Sequence, residues 1–255
     1  MHKRVGLLLD LDGTIIDCQN LHFEAWREMG KPFMGDIDRD YYMKNISGGT
    51  NDDILKRLQP EWTQEQRIQF AEGKEEIYRK KAKEGRLKFV EGFEQFFDFI
   101  LQNKELIYLV CVTNAPKLNV TATMQILGCD FSQWKIGQDC EGIWTAAPFE
   151  DVFIVEERKW KGKTVRGKPM PDPYEIAMKS NGLDKQICIA FEDSCSGVKS
   201  ASSAGVQSVI GIRSSHSDQT LKEYGANLTV QNWSELLEKV KNFDNLLKLC
   251  NITLQ

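Results

Sequence analysis

An apolar run, Val5-Gly6-Leu7-Leu8-Leu9, ends abruptly in Asp10-Leu11-Asp12-Gly13-Thr14. Continuous apolar residues of this length read as a strand buried on both faces, the kind found inside parallel sheets. Two carboxylates two residues apart leave that strand into a turn, where Gly13 supplies backbone freedom and Thr14 a hydroxyl. Such a pair suits metal-assisted nucleophilic attack. The first carboxylate attacks an electrophilic phosphorus and the second shuttles a proton.

The rest of the chain alternates strand and helix patterns, which predicts a largely parallel α/β sheet. Strand candidates are Val5–Leu9, Leu106–Thr113, Ile187–Phe191, Ser208–Ile212 and Asn227–Val230. Amphipathic stretches lie between and after them at Phe93–Gln102, Leu118–Leu127, Pro173–Asn181, Gly197–Ala204 and Trp233–Phe243. The segment from Asp17 to Lys88 breaks the rhythm. Its patterns are helical over Leu21–Met29, Asp38–Asn45, Asp52–Leu58 and Thr63–Lys83, and it reads as a helical insert.

Bulk properties narrow the function class. With 255 residues the chain can bury a full core, and a net charge of −4 gives no basic footprint for nucleic acid or anionic membrane. No apolar run approaches the length of a membrane span, and no signal-peptide cleavage pattern follows Leu9, so the expected location is cytoplasmic. Seven cysteines without a C-x-x-C pair argue against a disulfide framework or a zinc site, and Cys111 and Cys188 read as core residues.

Three further segments fall at or beyond strand ends, where open α/β sheets place ligands. After Leu106–Val112 come Thr113 and Asn114, a hydroxyl and an amide suited to a neutral phosphate cradle, though also to an ordinary strand-to-helix turn. Gly167-Lys168-Pro169-Met170-Pro171-Asp172-Pro173 presents Lys168 between restricted backbone positions as a point charge for phosphate. Glu192-Asp193 follows Ile187–Phe191, and adjacent acids at a strand end near Asp10 and Asp12 call for a cation. All-oxygen ligation suits Mg²⁺.

Together these four motifs, in this order with a helical segment after the first, resemble the haloacid dehalogenase (HAD) superfamily. The similarity is to its β-phosphoglucomutase-like branch, and within it most to plant-type sugar-phosphate phosphatases. The resemblance implies a subclass I architecture: a Rossmann-like parallel-sheet core from residues 1–16 and 89–255, with an inserted helical cap at 17–88. It implies Asp10 as nucleophile and Asp12 as general acid and base, with the transferred phosphoryl group held by Thr113, Asn114 and Lys168. It further implies Mg²⁺ held by the Asp10 carboxylate, the Asp12 carbonyl and Asp193, with Glu192 as ligand or neighbour. The expected partner is a small phosphorylated metabolite, a sugar or polyol phosphate, and the oligomeric state stays open.

In the cap, His22 resembles the branch's residue near the active-site mouth, and Ile46–Asp53, with Gly48, Gly49 and Asn51, resembles its specificity loop. Mutases of the branch carry Arg where Asn51 aligns, to grip a second phosphate, and Asn lacks that charge. Lys74 is the nearest basic candidate. Hydrolysis is therefore expected over a β-phosphoglucomutase-like isomerisation, and the intact acids and Lys168 weigh against a catalytically silent binding protein.

One stretch departs from the pattern. Between Gly137–Cys140 and Gly167, about residues 141–166, the chain is much longer than the resemblance implies. It reads as a surface excursion without catalytic role, containing a strand-like Asp151–Lys161, with Val152-Phe153-Ile154-Val155 as its apolar run, and a hairpin turn at Lys161-Gly162-Lys163. An alternative is a flap presenting Trp144, Phe149 and Trp160 as exposed aromatics.

Overall fold

In the computed structural model, residues 4–47, 49–126, 128, 133–135, 140–141, 143–146 and 148–254 are described. The chain divides into two compact units, Met1–Asp17 with Phe89–Gln255, and Cys18–Lys88.

The first unit is built on six parallel strands: β1 (Val5–Leu9), β2 (Ile107–Thr113), β3 (Phe149–Ile154), β4 (Cys188–Glu192), β5 (Ser208–Ile212) and β6 (Leu228–Val230). Their spatial order is β6-β5-β4-β1-β2-β3, and Ile143–Ala146 and Gln133–Lys135 extend the β3 edge antiparallel. β1 and β4 are buried at every position, as strands covered by helices on both faces must be. Alternation along β4 divides the core. Cys188 and Ala190 face a cluster with Tyr174 and Ile176 of the preceding helix and Val198 and Ala201 of the following one. Phe191 faces the other way, onto Phe96 and Trp233. Phe96 lies on the helix Phe93–Gln102 and Trp233 opens the helix Trp233–Lys239. Centred between β4 and β2, β1 delivers Asp10 to the middle of the sheet's carboxyl edge.

Two expectations need correction. The strand-like part of the 141–166 stretch is no surface excursion. Residues 149–154 form β3, pairing in parallel with β2 from Val110↔Asp151 to Thr113↔Ile154. Phe149, Val152, Phe153 and Ile154 are buried, which also removes Phe149 from any set of exposed aromatics. Asp151 within the run disguises its burial. It is affordable there because Arg158 Nη2 donates to it at 2.6 Å, both side chains being fully buried. The hairpin turn does form: Lys163 pairs with Trp160 across Lys161 and Gly162, both at positive φ. Residues 142 and 147 of the same stretch, and 136–139 just before it, lie outside the described residues, as does Gly48.

Trp233–Phe243 is not one helix but two, Trp233–Lys239 and Phe243–Leu249. Asn242 separates them, because its side chain accepts from the Asn245 N–H and so caps a new helix start.

The second unit is a helical cluster of Gln19–Met34, Arg39–Asn45, Asn51–Leu58 and Gln64–Lys81 around Trp26, Tyr42, Ile54, Leu55 and Phe70. The last helix starts on a reciprocal Thr63–Gln66 capping box. Among the described residues, no helix is long and apolar enough to cross a membrane.

Candidate active site

Four strand ends converge in the first unit. Asp10 stands just beyond β1, and its N–H donates to the Phe191 carbonyl at 3.0 Å, tying it to β4. The chain then turns, with Gly13 N–H donating to the Ile16 carbonyl at 2.7 Å, and Asp12 sits half-buried on that turn. Glu192 ends β4 and Asp193 follows it, both buried.

Lys168 reaches this group from the loop before the helix Asp172–Ser180. Its ammonium donates to Asp10 Oδ1 at 2.6 Å, Glu192 Oε1 at 2.5 Å and the Val112 carbonyl at 2.8 Å. Three protons meet three acceptors. Burial works against the charged lysine, yet Asp10 and Glu192 outweigh it and its pKa lies above the ordinary value. The Tyr174 hydroxyl donates to the same Glu192 oxygen at 2.6 Å.

Burial, the largest influence, pushes the Asp10 carboxyl well above the ordinary carboxylate range. Glu192 adds to the rise and Lys168 opposes it. Burial likewise carries Asp193 up to about 7, against a hydrogen bond from the Ser215 hydroxyl. Three buried carboxylates thus share one lysine. Asp10, Glu192 and Asp193 each offer an oxygen, all within 4.8 Å of one another. A hard divalent cation fits this all-oxygen, charge-deficient set.

Thr113 ends β2, is buried, and its hydroxyl accepts from the Ala115 N–H at 2.9 Å. Asn114 turns its amide onto the Lys168 backbone, accepting from the N–H at 3.1 Å and donating to the carbonyl at 3.3 Å. The sequence-predicted residues Asp10, Thr113, Asn114, Lys168, Glu192 and Asp193 therefore gather at one sheet edge. Tyr174, Ser214 and Ser215 were missed. The two serines carried a usable signal, since they follow the apolar run Ser208–Ile212 at the same sheet edge.

In the second unit, three expected residues share one cluster. Lys74 Nζ lies 3.0 Å from His22 Nδ1 and donates to Glu75 Oε1 at 2.7 Å. The Asn51 amide donates to the same Glu75 oxygen at 2.7 Å, and His22 stacks on Tyr78. Gly49 has no part in it; there a Cβ would come within 2.9 Å of Ile54. Glu75, which joins the cluster, was not anticipated.

The description of haloacid dehalogenase-like hydrolases matches residues 6–205, a span that holds Asp10, Thr113, Lys168 and Asp193. The chain belongs to that hydrolase family. It is 27% identical to a HAD hydrolase, family IA, variant 3, of Entamoeba histolytica, over 98% of this chain and 100% of that one, with a TM-score of 0.72. A phosphorylated carbohydrates phosphatase of Thermotoga maritima is 25% identical over 226 residues, covering 87% of this chain and 91% of its own. A β-phosphoglucomutase of Clostridium difficile shares the fold at 21% identity and a TM-score of 0.71, with 97% of each chain covered.

Proposed function

We propose that this hydrolase is a Mg²⁺-dependent phosphatase acting on small phosphomonoesters, sugar or polyol phosphates in particular, through a phosphorylated Asp10. The observation that carries this reading is the contact of one buried ammonium, Lys168, with both Asp10 and Glu192 beside a third buried acid, Asp193. The matched family and the Thermotoga maritima phosphatase support the substrate class.

Lys168 holds Asp10 Oδ1, which leaves Oδ2, near the Thr14 hydroxyl at 3.4 Å, as the attacking oxygen. A bond forms from Asp10 to phosphorus as the bond to the departing alcohol oxygen breaks, and Asp12 gives that oxygen its proton. Asp12 then takes a proton from water as the water oxygen attacks the same phosphorus, freeing inorganic phosphate and Asp10. Thr113 and Lys168 stabilise the phosphoryl oxygens through both steps. Asp10 and Asp193, with Glu192 alongside, would hold Mg²⁺, which when bound offsets the negative charge of the phosphate.

As part of the same proposal, Cys18–Lys88 acts as a cap whose His22, Gly49, Asn51 and Lys74 contribute to substrate choice. Its own interior favours a phosphatase over a mutase: Glu75 matches the Lys74 charge and takes the Asn51 amide, so neither residue is set up as an arginine-like grip on a second phosphate. A cytoplasmic location fits Cys18, Cys111, Cys188, Cys195 and Cys250, which are all unbridged.

Phosphorus NMR tests the reading. With Mg²⁺, release of inorganic phosphate from glucose 6-phosphate, fructose 1-phosphate or glycerol 3-phosphate is expected, and its loss in Asp10→Asn. In Asp12→Asn, turnover should be lost, because neither the departing alcohol nor the attacking water has its proton carrier. Conversion of β-glucose 1-phosphate into the 6-phosphate without free phosphate would make the protein a mutase.

A further inference from the structure

We propose that Asn114 is a positioning residue that fixes Lys168 through its backbone. The role, though not the geometry, rests on the phosphatase reading above. Lys168 sits on a connecting loop, yet its ammonium must meet Asp10, Glu192 and the Val112 carbonyl together. Such a long side chain carries considerable rotamer freedom, so fixing its head also requires fixing its base.

Asn114 does this with both halves of its amide. Oδ1 takes the Lys168 N–H and Nδ2 gives to the Lys168 carbonyl, which imitates one rung of strand pairing. The end of β2 thereby grips the lysine twice, at its backbone through Asn114 and at its ammonium through Val112. Few other residues could substitute. The grip needs a donor and an acceptor on one short planar group, and Asp has no donor while Ser offers a single oxygen.

The loop is built around this contact. A Cβ on Gly167 would stand 3.2 Å from Asn114 Oδ1 and 3.3 Å from Nδ2, so glycine leaves the amide its room. Beyond the lysine, the Met170 N–H returns to the Gly167 carbonyl at 3.0 Å. The Ser200 hydroxyl then donates to the Met170 carbonyl at 2.5 Å. Lys168 therefore sits between two anchors, one on β2 and one on the helix Cys195–Ser203.

Ammonium NMR of protein labelled with ¹⁵N-lysine decides the matter without relying on turnover. Lys168 should give a slowly exchanging signal, assigned by its absence in Lys168→Met. In Asn114→Ala its protons should exchange roughly tenfold faster, the scale of one lost hydrogen bond. Gly167→Ala should move exchange the same way by less, and it carries the test should Asn114→Ala not fold. In turnover, Asn114→Ala should cost nothing further in a Lys168→Met background. An unchanged Lys168 signal, or a full additional loss in that background, overturns the role and makes Asn114 a direct phosphate contact. Absence of phosphatase activity in the wild type would defeat the functional reading alone, since the exchange rates report on Asn114 and Lys168 regardless.

Discussion

Gly13 and Asp193 are pressed together so closely that a Cβ on the glycine would stand 2.1 Å from Asp193 Oδ2. Gly13 also has φ of 81°, a region that costs other residues about 1–2 kcal/mol. Its carbonyl accepts from the Ser214 hydroxyl at 2.6 Å, and Ser215 donates to Asp193, so three strand ends are locked at one point. Gly13→Ala should displace Asp193, leave a folded protein and lower turnover by roughly a hundredfold, the usual scale for an ångström of misplacement. Thermal unfolding with and without Mg²⁺ checks it. The variant should lose most of the Mg²⁺-dependent rise in Tm, and a rise equal to wild type would refute the coupling.

Residues at the ends of apolar runs are legible in the sequence alone. Asp10, Thr113 and Asp193 carry their chemistry in residue type and their location in the run that precedes them. Pairings across the fold are not legible in this way. The strand character of β3 is legible but its place inside the sheet is not, because Asp151 marks the run as a surface segment and its partner Arg158 lies beyond a turn of 3₁₀ helix. Tyr174 looks like one more apolar helix position, for nothing local reveals that its hydroxyl meets Glu192. Glu75 is concealed in a helix rich in charges, where only the packing shows which acid is buried.

The Tyr174 hydroxyl should matter for turnover although it lies beneath the site. Its ring is fully buried, with the Lys168 ammonium 5.3 Å from the ring centre, and burial followed by the Glu192 charge raises its pKa well above normal. It therefore stays a donor throughout the accessible pH range. Tyr174→Phe keeps the ring and removes that one hydrogen bond to a charged group, worth about 1.5–3 kcal/mol. A fall in kcat of roughly ten- to a hundredfold is expected, with a Tm lowered by several degrees. Steady-state kinetics beside calorimetry would measure both, and unchanged kcat would show that Lys168 alone orients Glu192.

Asp151 and Arg158 make a different prediction, one of stability. Burial raises the Asp151 carboxyl, while Arg158 and the Asn181 amide pull the other way. The guanidinium also lies 4.3 Å from the centre of the Phe153 ring. Arg158→Met keeps much of the bulk but strands a buried carboxylate, and should cost about 3–5 kcal/mol. Adding Asp151→Asn should recover a large part of that loss, because the uncompensated charge is gone. Urea unfolding of the two single variants and the double one forms the test. Additive losses would mean that packing, not charge, dominates the pair.

Glu75 gives the second unit a defined acid sensitivity. Burial pushes its carboxyl up, but Lys74, His22 and the Asn51 amide together bring it down to about 2 from an ordinary value of 4.5. A carboxylate depressed in the folded state stabilises above its unfolded pKa and loses that contribution as pH falls through the folded pKa. The window therefore runs from about 4.5 down to about 2, and the loss is on the order of 3 kcal/mol. Glu75→Gln lacks the titrating group. Its unit should be weaker than wild type at neutral pH, because Lys74 stays buried without its counter-charge, and it should change less across that window. Glu24, also held at about 2 by Arg86 despite some burial, titrates in both proteins and cancels in the comparison. Hydrogen exchange of peptides from residues 18–88 at pH 5, 4 and 3, corrected for intrinsic exchange, reads the difference directly. Parallel pH curves for the two proteins would show that Glu75 does not hold this unit together by its charge.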